Sequence, residues 1–303
     1  MRRSAAAGAA LLLSVQVAAA QVTYEGSLSG STGTYLFTER TTGLVLTTGF
    51  SFRTGPVTLR ASLPLWYQNT TLVTSSGAGS IPTGGPYGQE MVRDSGQARR
   101  QHGRGGAAGP NGEGGGRSGE AAAGLVTEPL FSKGTIPPPE EALTGYRLMM
   151  ADPILTGTVR AVQSRRLALS AGAAIKVPIA DPATIGTGQW DVGGQASLSF
   201  LMGRRWTVGL DAAYWHLGDL DSLDLEDSWL GSLSAGTLIG EAWGAMVSVA
   251  AGTSMLAGFD PPVSITLALT RFGSPGSWGI NAGAGLTETA PDLSLGATWW
   301  VRL

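Results

Sequence analysis

The chain has few residues equipped for chemistry. It contains two histidines, His102 and His216, and no cysteine, so thiolate metal sites and disulfide frameworks are absent. His102 stands in a glycine-rich tract, and His216 lies near Asp219, Asp221 and Ser222. Acyl hydrolysis needs a nucleophile with a base in hydrogen-bond reach, and no spacing around His216 separates a dyad from a solvated loop. Asp219, Asp221, Asp224, Glu226 and Asp227 supply the hard oxygens that divalent cations take. They lack the glycine and the intervals of a calcium loop, which makes a solvated acidic loop the expectation. No glycine run joins a strand to a helix in the manner of a phosphate cradle, so no cofactor is expected. The reading is of a non-enzyme.

The remaining ionisable candidates are Arg60, Arg160, Lys176, Asp191 and Asp211, each embedded in an alternating segment. Their meaning depends on the elements that hold them. In an extended strand side chains alternate faces with a period of two. The last eleven residues, L-S-L-G-A-T-W-W-V-R-L, set Leu293, Leu295, Ala297, Trp299, Val301 and Leu303 on one face. Ser294, Gly296, Thr298, Trp300 and Arg302 fall on the other. The same two-faced pattern recurs over most of the chain.

An export signal precedes it. Arg2 and Arg3 form a charged start, Ala9 to Val17 is mostly apolar, and Ala18-Ala19-Ala20 offers small residues before Gln21, so residues 1–20 are expected to be a signal peptide and 21–303 the barrel. Its removal takes two arginines from a chain of formal charge −2, leaving −4. That balance argues against a nucleic-acid partner, which calls for a clustered basic face. Mean hydropathy is +0.11, yet after the signal no apolar run reaches the roughly 20 residues of a membrane helix. Only helices and closed barrels satisfy every backbone hydrogen bond in a bilayer, so alternating strands in an exported chain point to a barrel.

Strands are expected at Ser27 to Thr38 (clearest at Thr34 to Thr38), Leu44 to Phe52, Val57 to Leu65, Leu155 to Ala161, Leu167 to Val177 and Trp190 to Phe200. Six more follow at Trp206 to Tyr214, Trp229 to Ile239, Trp243 to Ala251, Val263 to Thr270, Trp278 to Leu286 and Leu293 to Leu303. Connections alternate between short ones, at 53–56, 163–166, 202–205, 240–242 and 272–277, and generally longer ones. This is the layout of an all-β, antiparallel, up-and-down transmembrane barrel of twelve strands with short periplasmic turns and longer outer loops. Residues 68–144 break the pattern and are expected as one long extracellular loop, glycine-rich and largely disordered over 77–124.

Trp206, Trp243 and Trp278 each begin a strand rising from a short turn, which places three indoles at one membrane interface; Trp190, Tyr214 and Trp229 fall near the other rim. A charge facing lipid at mid-bilayer costs about 2–4 kcal/mol for Arg or Lys, so Arg60, Arg160, Lys176, Asp191 and Asp211 are expected to face inward. They would either line a lumen or pair with one another. Lys176 and Asp191 fall near the same rim on adjacent strands.

The last strand resembles the C-terminal assembly signal of bacterial outer-membrane barrels through Ser294, Gly296, Trp299 and Val301, which implies delivery by the barrel-assembly machinery. A second resemblance rests on I-K-V-P-I-A-D (Ile175 to Asp181), I-G-T-G-Q-W-D (Ile185 to Asp191) and the earlier S-L-P-L-W-Y-Q-N (Ser62 to Asn69). These segments are similar to the outer-membrane family called "MetA-pathway of phenol degradation", although Ile179-Ala180 replaces a small Thr-Gly pair. The resemblance implies an outer-membrane transporter. The expected protein is therefore a passive channel for small, hydrophobic or aromatic solutes in the outer membrane of a Gram-negative bacterium, among lipid and lipopolysaccharide. A surface-display anchor and a barrel hydrolase are the alternatives.

Overall fold

The computed structural model describes residues 21–104, 133–143 and 145–303. The expected signal peptide and the glycine tract from 105 onward lie outside the described residues. The elements in order are β1 (Gln21–Gly33), β2 (Thr41–Thr54), β3 (Val57–Gln68), β4 (Thr74–Ser76), β5 (Gly79–Ile81), α1 (Gly85–Arg104), β6 (Arg147–Met150) and β7 (Ile154–Gln163). They continue with β8 (Leu167–Lys176), β9 (Asp191–Met202), β10 (Trp206–His216), β11 (Ser228–Ile239), β12 (Trp243–Gly252), β13 (Val263–Arg271), β14 (Gly276–Gly285) and β15 (Leu293–Arg302).

All strands except β4 and β5 form one antiparallel sheet in which successive staves pair with one another, and β15 returns to pair with β1 from Thr23↔Arg302 to Thr32↔Leu293. Closure leaves no unpaired edge among the long strands, the condition for a sheet in lipid; only the four-residue β6 pairs on one side alone. Twelve staves result, because β6 and β7 together make the fourth. β3 pairs with β7 over Val57 to Ser62 and with β6 over Leu65 to Gln68, and Ala151-Asp152-Pro153 interrupts the stave. Pro64 sits on β3 opposite that gap and accepts the Ala151 amide through its carbonyl. Its missing N–H costs little there.

Alternation assigns the faces. Leu59, Leu210, Leu233, Leu267 and Leu295 are more than half exposed on the outer wall, the inverse of a soluble sandwich and the form expected of a lipid-facing belt. The residues between them line interior cavities. At the short turns Gly203 and Gly240 have positive φ (66° and 63°), which a β-carbon would strain.

Two expectations need correction. Thr34 to Thr38 is a connection, since β1 ends at Gly33, Tyr35 has a φ of 50°, and Leu36 and Phe37 fold inward to full burial. Hydrophobic residues there signal a plug and not a lipid-facing strand. Nor is the insertion between β3 and β7 structureless in its described part. Residues 69–104 form the hairpin β4–β5 and the helix α1, and both pack into the end of the barrel that carries the long loops. The buried apolar core of the molecule lies there: Leu36, Phe37, Leu72, Ile81, Val92, Trp215, Leu256 and Phe259 share one cluster contributed by three connections and the wall.

Candidate functional site

Below this core the wall residues are small. A cavity of about 480 Å³ opens between the plug residues Ala78, Ser80 and Met255 and the inner faces of β9 to β15, where Gln195, Ser197, Asp211, Ser232, Ser264, Thr266 and Ser294 line it. Asp211 and Ser197 also border a second space of about 260 Å³ nearer the short turns, with Arg160, Ser170, Ser199 and Ser234. Asp211 accepts a hydrogen bond from Ser232 Oγ at 3.0 Å and is exposed to the interior.

On the β1–β3 side, spaces of about 470 and 400 Å³ share Glu25. Arg60 meets Glu25 at 2.8 Å, and Ser51 Oγ donates to the same carboxylate at 2.7 Å. Arg53 and Arg302 stand at the mouth of the lower space. Thus Arg60, Arg160 and Asp211 border open interior, with no metal-like convergence of three acidic or histidine groups among the described residues.

Lys176 and Asp191 are placed differently. They are register partners on β8 and β9, and neither borders open space: both are fully buried, together with Asp152. Lys176 Nζ lies 3.1 Å from Asp152 and 3.2 Å from Asp191 and donates to Thr187 Oγ1. One ammonium does not balance two carboxylates, and backbone amides supply the remainder. Asp152 accepts from the N–H groups of Ile179 (2.8 Å) and Ala180 (2.7 Å); Asp191 accepts from Gly77 (2.7 Å) and Gly218 (3.1 Å). Charge-assisted hydrogen bonds of this kind are shorter and stronger than neutral ones. The Gly77 amide belongs to the β4–β5 turn, so Asp191 fastens the plug to the wall. Gly77 has no room for a side chain: a β-carbon would overlap the Trp215 ring and Asp191.

Further ties hold the outer layer. Arg99 pairs with buried Glu288 at 2.5 Å and stacks over Phe259, and Arg100 pairs with Glu226. Gly96 of α1 lies against the Ala257 carbonyl, a contact that any β-carbon would block. Asp292 receives Lys133 (2.7 Å) and Arg40 (3.1 Å). Burial, the largest influence on Asp292, pushes its carboxyl up, but Lys133, Arg40 and the Thr34 amide outweigh it and hold the group below the usual carboxylate range. Burial pushes the Tyr35 phenol up to about 12, so it stays neutral inside the plug.

His216, at the loop rim, pairs through Nδ1 with Asp227 at 2.8 Å. Asp227 also accepts from Tyr214, the main reason its carboxyl lies below the ordinary range. No serine hydroxyl hydrogen-bonds to that ring among the described residues. Asp219 caps the Leu225 amide, and Glu226 is occupied by Arg100.

Trp206, Trp243 and Trp278 lie at the short-turn rim. Trp229 and Tyr214 are register partners near the other rim with rings 5.0 Å apart, and Trp190 lies exposed just before β9. On β15, Ser294 and Gly296 face inward, Gly296 against the Asn281 amide, while Trp299 lies over Gly26 and Val301 pairs with Tyr24. Sequence reasoning missed Glu25 because the first strand was expected to begin at Ser27, although Thr23, Glu25 and Ser27 alternate with Val22, Tyr24 and Gly26. It also missed Asp152, for which no periodic signal exists.

No protein-family model matches the chain, and no curated protein matches it. Among solved structures, the COG4313 outer membrane channel from Pseudomonas putida F1 aligns over 93% of this chain and 95% of its own, with a TM-score of 0.59 at 12% identity. The KdgM porin aligns over 93% and 99% at a TM-score of 0.46 and 4% identity. The CymD monoaromatic hydrocarbon channel aligns over 94% and 88% at 0.42 and 10%. At these identities the likeness is one of fold: the chain is a closed transmembrane antiparallel barrel of the kind the first of these channels shares.

Proposed function

We propose that the chain is a passive channel for small solutes in the outer membrane of a Gram-negative bacterium, with the short turns facing the periplasm and the plugged loop end facing outward. The observation that carries this is the adjoining set of interior cavities, walled by Ser, Thr, Gly and Ala and closed at one end only by connections. A barrel kept solely as an anchor has no need to hold its interior open. The 480 Å³ space has the size of a small-ligand site. With Ala213, Leu230, Met255 and Pro262 beside its hydroxyls, it suits weakly polar solutes of aromatic size.

The fold shared with a protein described as an outer membrane channel supports this reading. Together with the Ile175 to Asp191 resemblance, it supports membership of the "MetA-pathway of phenol degradation" family. In this reading Arg60, Arg160 and Asp211 line the path, Lys176 and Asp191 hold the plug, and Ser294, Gly296, Trp299 and Val301 serve barrel assembly. Lipopolysaccharide surrounds the loop rim. The test is single-channel recording of the refolded mature chain in a planar bilayer, with and without residues 77–124. Current steps are expected once the plug is removed. Silence in both forms, with a heat-modifiable folded barrel on a gel, would sink the channel.

A further inference from the structure

We infer that the periplasmic rim carries a seat for the headgroup of an anionic phospholipid, formed by Arg271 between Trp243 and Trp278. The inference rests on the membrane placement of the barrel but not on its transport role.

Arg271 ends β13 and is the direct register partner of Trp243 on β12 and of Trp278 on β14. Partners in an antiparallel pair project to the same side, and Arg271 follows Ile265, Leu267 and Leu269 on the outer face. The two indoles meet edge to face with centroids 5.5 Å apart, and the guanidinium stands exposed beside them. No ion pair or side-chain hydrogen bond engages Arg271 among the described residues. A permanent cation on the lipid-facing wall is tolerated where phosphates meet it, and interfacial indoles lie at that same depth. The planar guanidinium matches a phosphodiester through two parallel hydrogen bonds.

The wider rim reinforces the choice of an anionic lipid. Arg53, Arg165, Arg166, Arg204, Arg205, Arg271 and Arg302 lie in or beside the short turns, against the single acid Glu241. None of the seven is ion-paired among the described residues. Arg53 and Arg302 face the mouth of the lumen, whereas Arg271 faces the bilayer.

Native mass spectrometry of the detergent-purified mature protein tests this with phosphatidylglycerol, phosphatidylcholine and inorganic phosphate as separate probes. Phosphatidylglycerol is expected to be retained in preference to phosphatidylcholine. Arg271→Gln is expected to cut that preference about fivefold, the scale of one interfacial arginine, while Arg53→Gln leaves it unchanged. Equal retention of the two lipids by the unaltered protein would overturn the proposal without any variant having to fold. So would an unchanged preference in heat-modifiable Arg271→Gln barrel, or displacement of phosphatidylglycerol by inorganic phosphate at matching concentration.

Discussion

The two ends of this barrel solve the placement of charge in opposite ways. At the loop end nearly every charged group that enters the interior is matched: Lys176 with Asp152 and Asp191, Arg99 with Glu288, and Lys133 and Arg40 with Asp292. At the turn end Arg165, Arg166, Arg204, Arg205 and Arg271 stand unpaired among the described residues. The difference follows from what surrounds them. The plug is a dry, packed interior in which an unpaired charge is expensive, whereas the turn rim meets water and headgroups. Apart from Arg60 and Glu25, which pair across open lumen, ion pairing therefore gathers where this molecule is closed, and unpaired arginine gathers at the turn rim.

The sharpest way to break that contrast is to unbalance the closed end. Lys176→Met removes the only cation from a site with two buried carboxylates. Breaking one side of a buried pair costs about 3–5 kcal/mol, and here much of that cost falls on the contact between Asp191 and the Gly77 amide. The expected outcome is a folded barrel with a loosened plug, seen as faster protease cleavage within 69–104 and new current steps in a bilayer. If protection and silence both persist, the triad does not hold the plug.

This triad also shows what was legible in the sequence. The barrel could be read because period-two alternation is local, and eleven of the twelve staves lie where the pattern put them. Lys176 and Asp191 could be placed on adjacent strands near one rim, because register follows from a single hairpin. Asp152 and Gly77 could not, since they reach the same point from segments separated by long stretches of chain. The helix α1 was illegible for a related reason. Its glycines carry weak intrinsic helix propensity, and its apolar face is narrow, Met91 and Val92. What holds it is tertiary: Gly96 against the Ala257 backbone, and arginines reaching acids on distant loops. Thr34 to Thr38 failed oppositely, because an apolar segment that fills a plug has the same composition as one that faces lipid.

A smaller effect is expected where charges face open lumen. Glu25→Gln leaves Arg60 without its partner, and Asp211→Asn removes the only acid among the described residues bordering the central cavity. Each change makes the path more positive. In a water-filled space with salt present the field of one charge is heavily screened, so the shift toward anions in the permeability ratio is expected to be about twofold. Reversal potentials under a salt gradient, taken on a background lacking residues 77–124, measure it. A shift toward cations in either variant would contradict the inward placement of these residues.

The gentlest probe of the closed end is pH. Asp292 is held below the usual carboxylate range in the folded protein, so the native state favours its ionised form relative to the unfolded chain. A depressed carboxylate stabilises fully above its unfolded pKa and loses that contribution as pH falls through the folded value. The contribution of Asp292 is therefore expected to be fully present above about pH 5 and to be lost progressively below about pH 4. Solvent reaches this cluster, which keeps the effect well under that of Lys176→Met. Hydrogen exchange at the Thr34 amide and its neighbours, followed down the pH range and corrected for intrinsic rates, reads it directly. Asp292→Asn should flatten the acid limb while leaving the barrel strands unchanged. An acid limb of the same size in that variant would transfer the effect to Asp227, whose carboxyl is also held low and whose hydrogen bonds join β10 to the acidic loop.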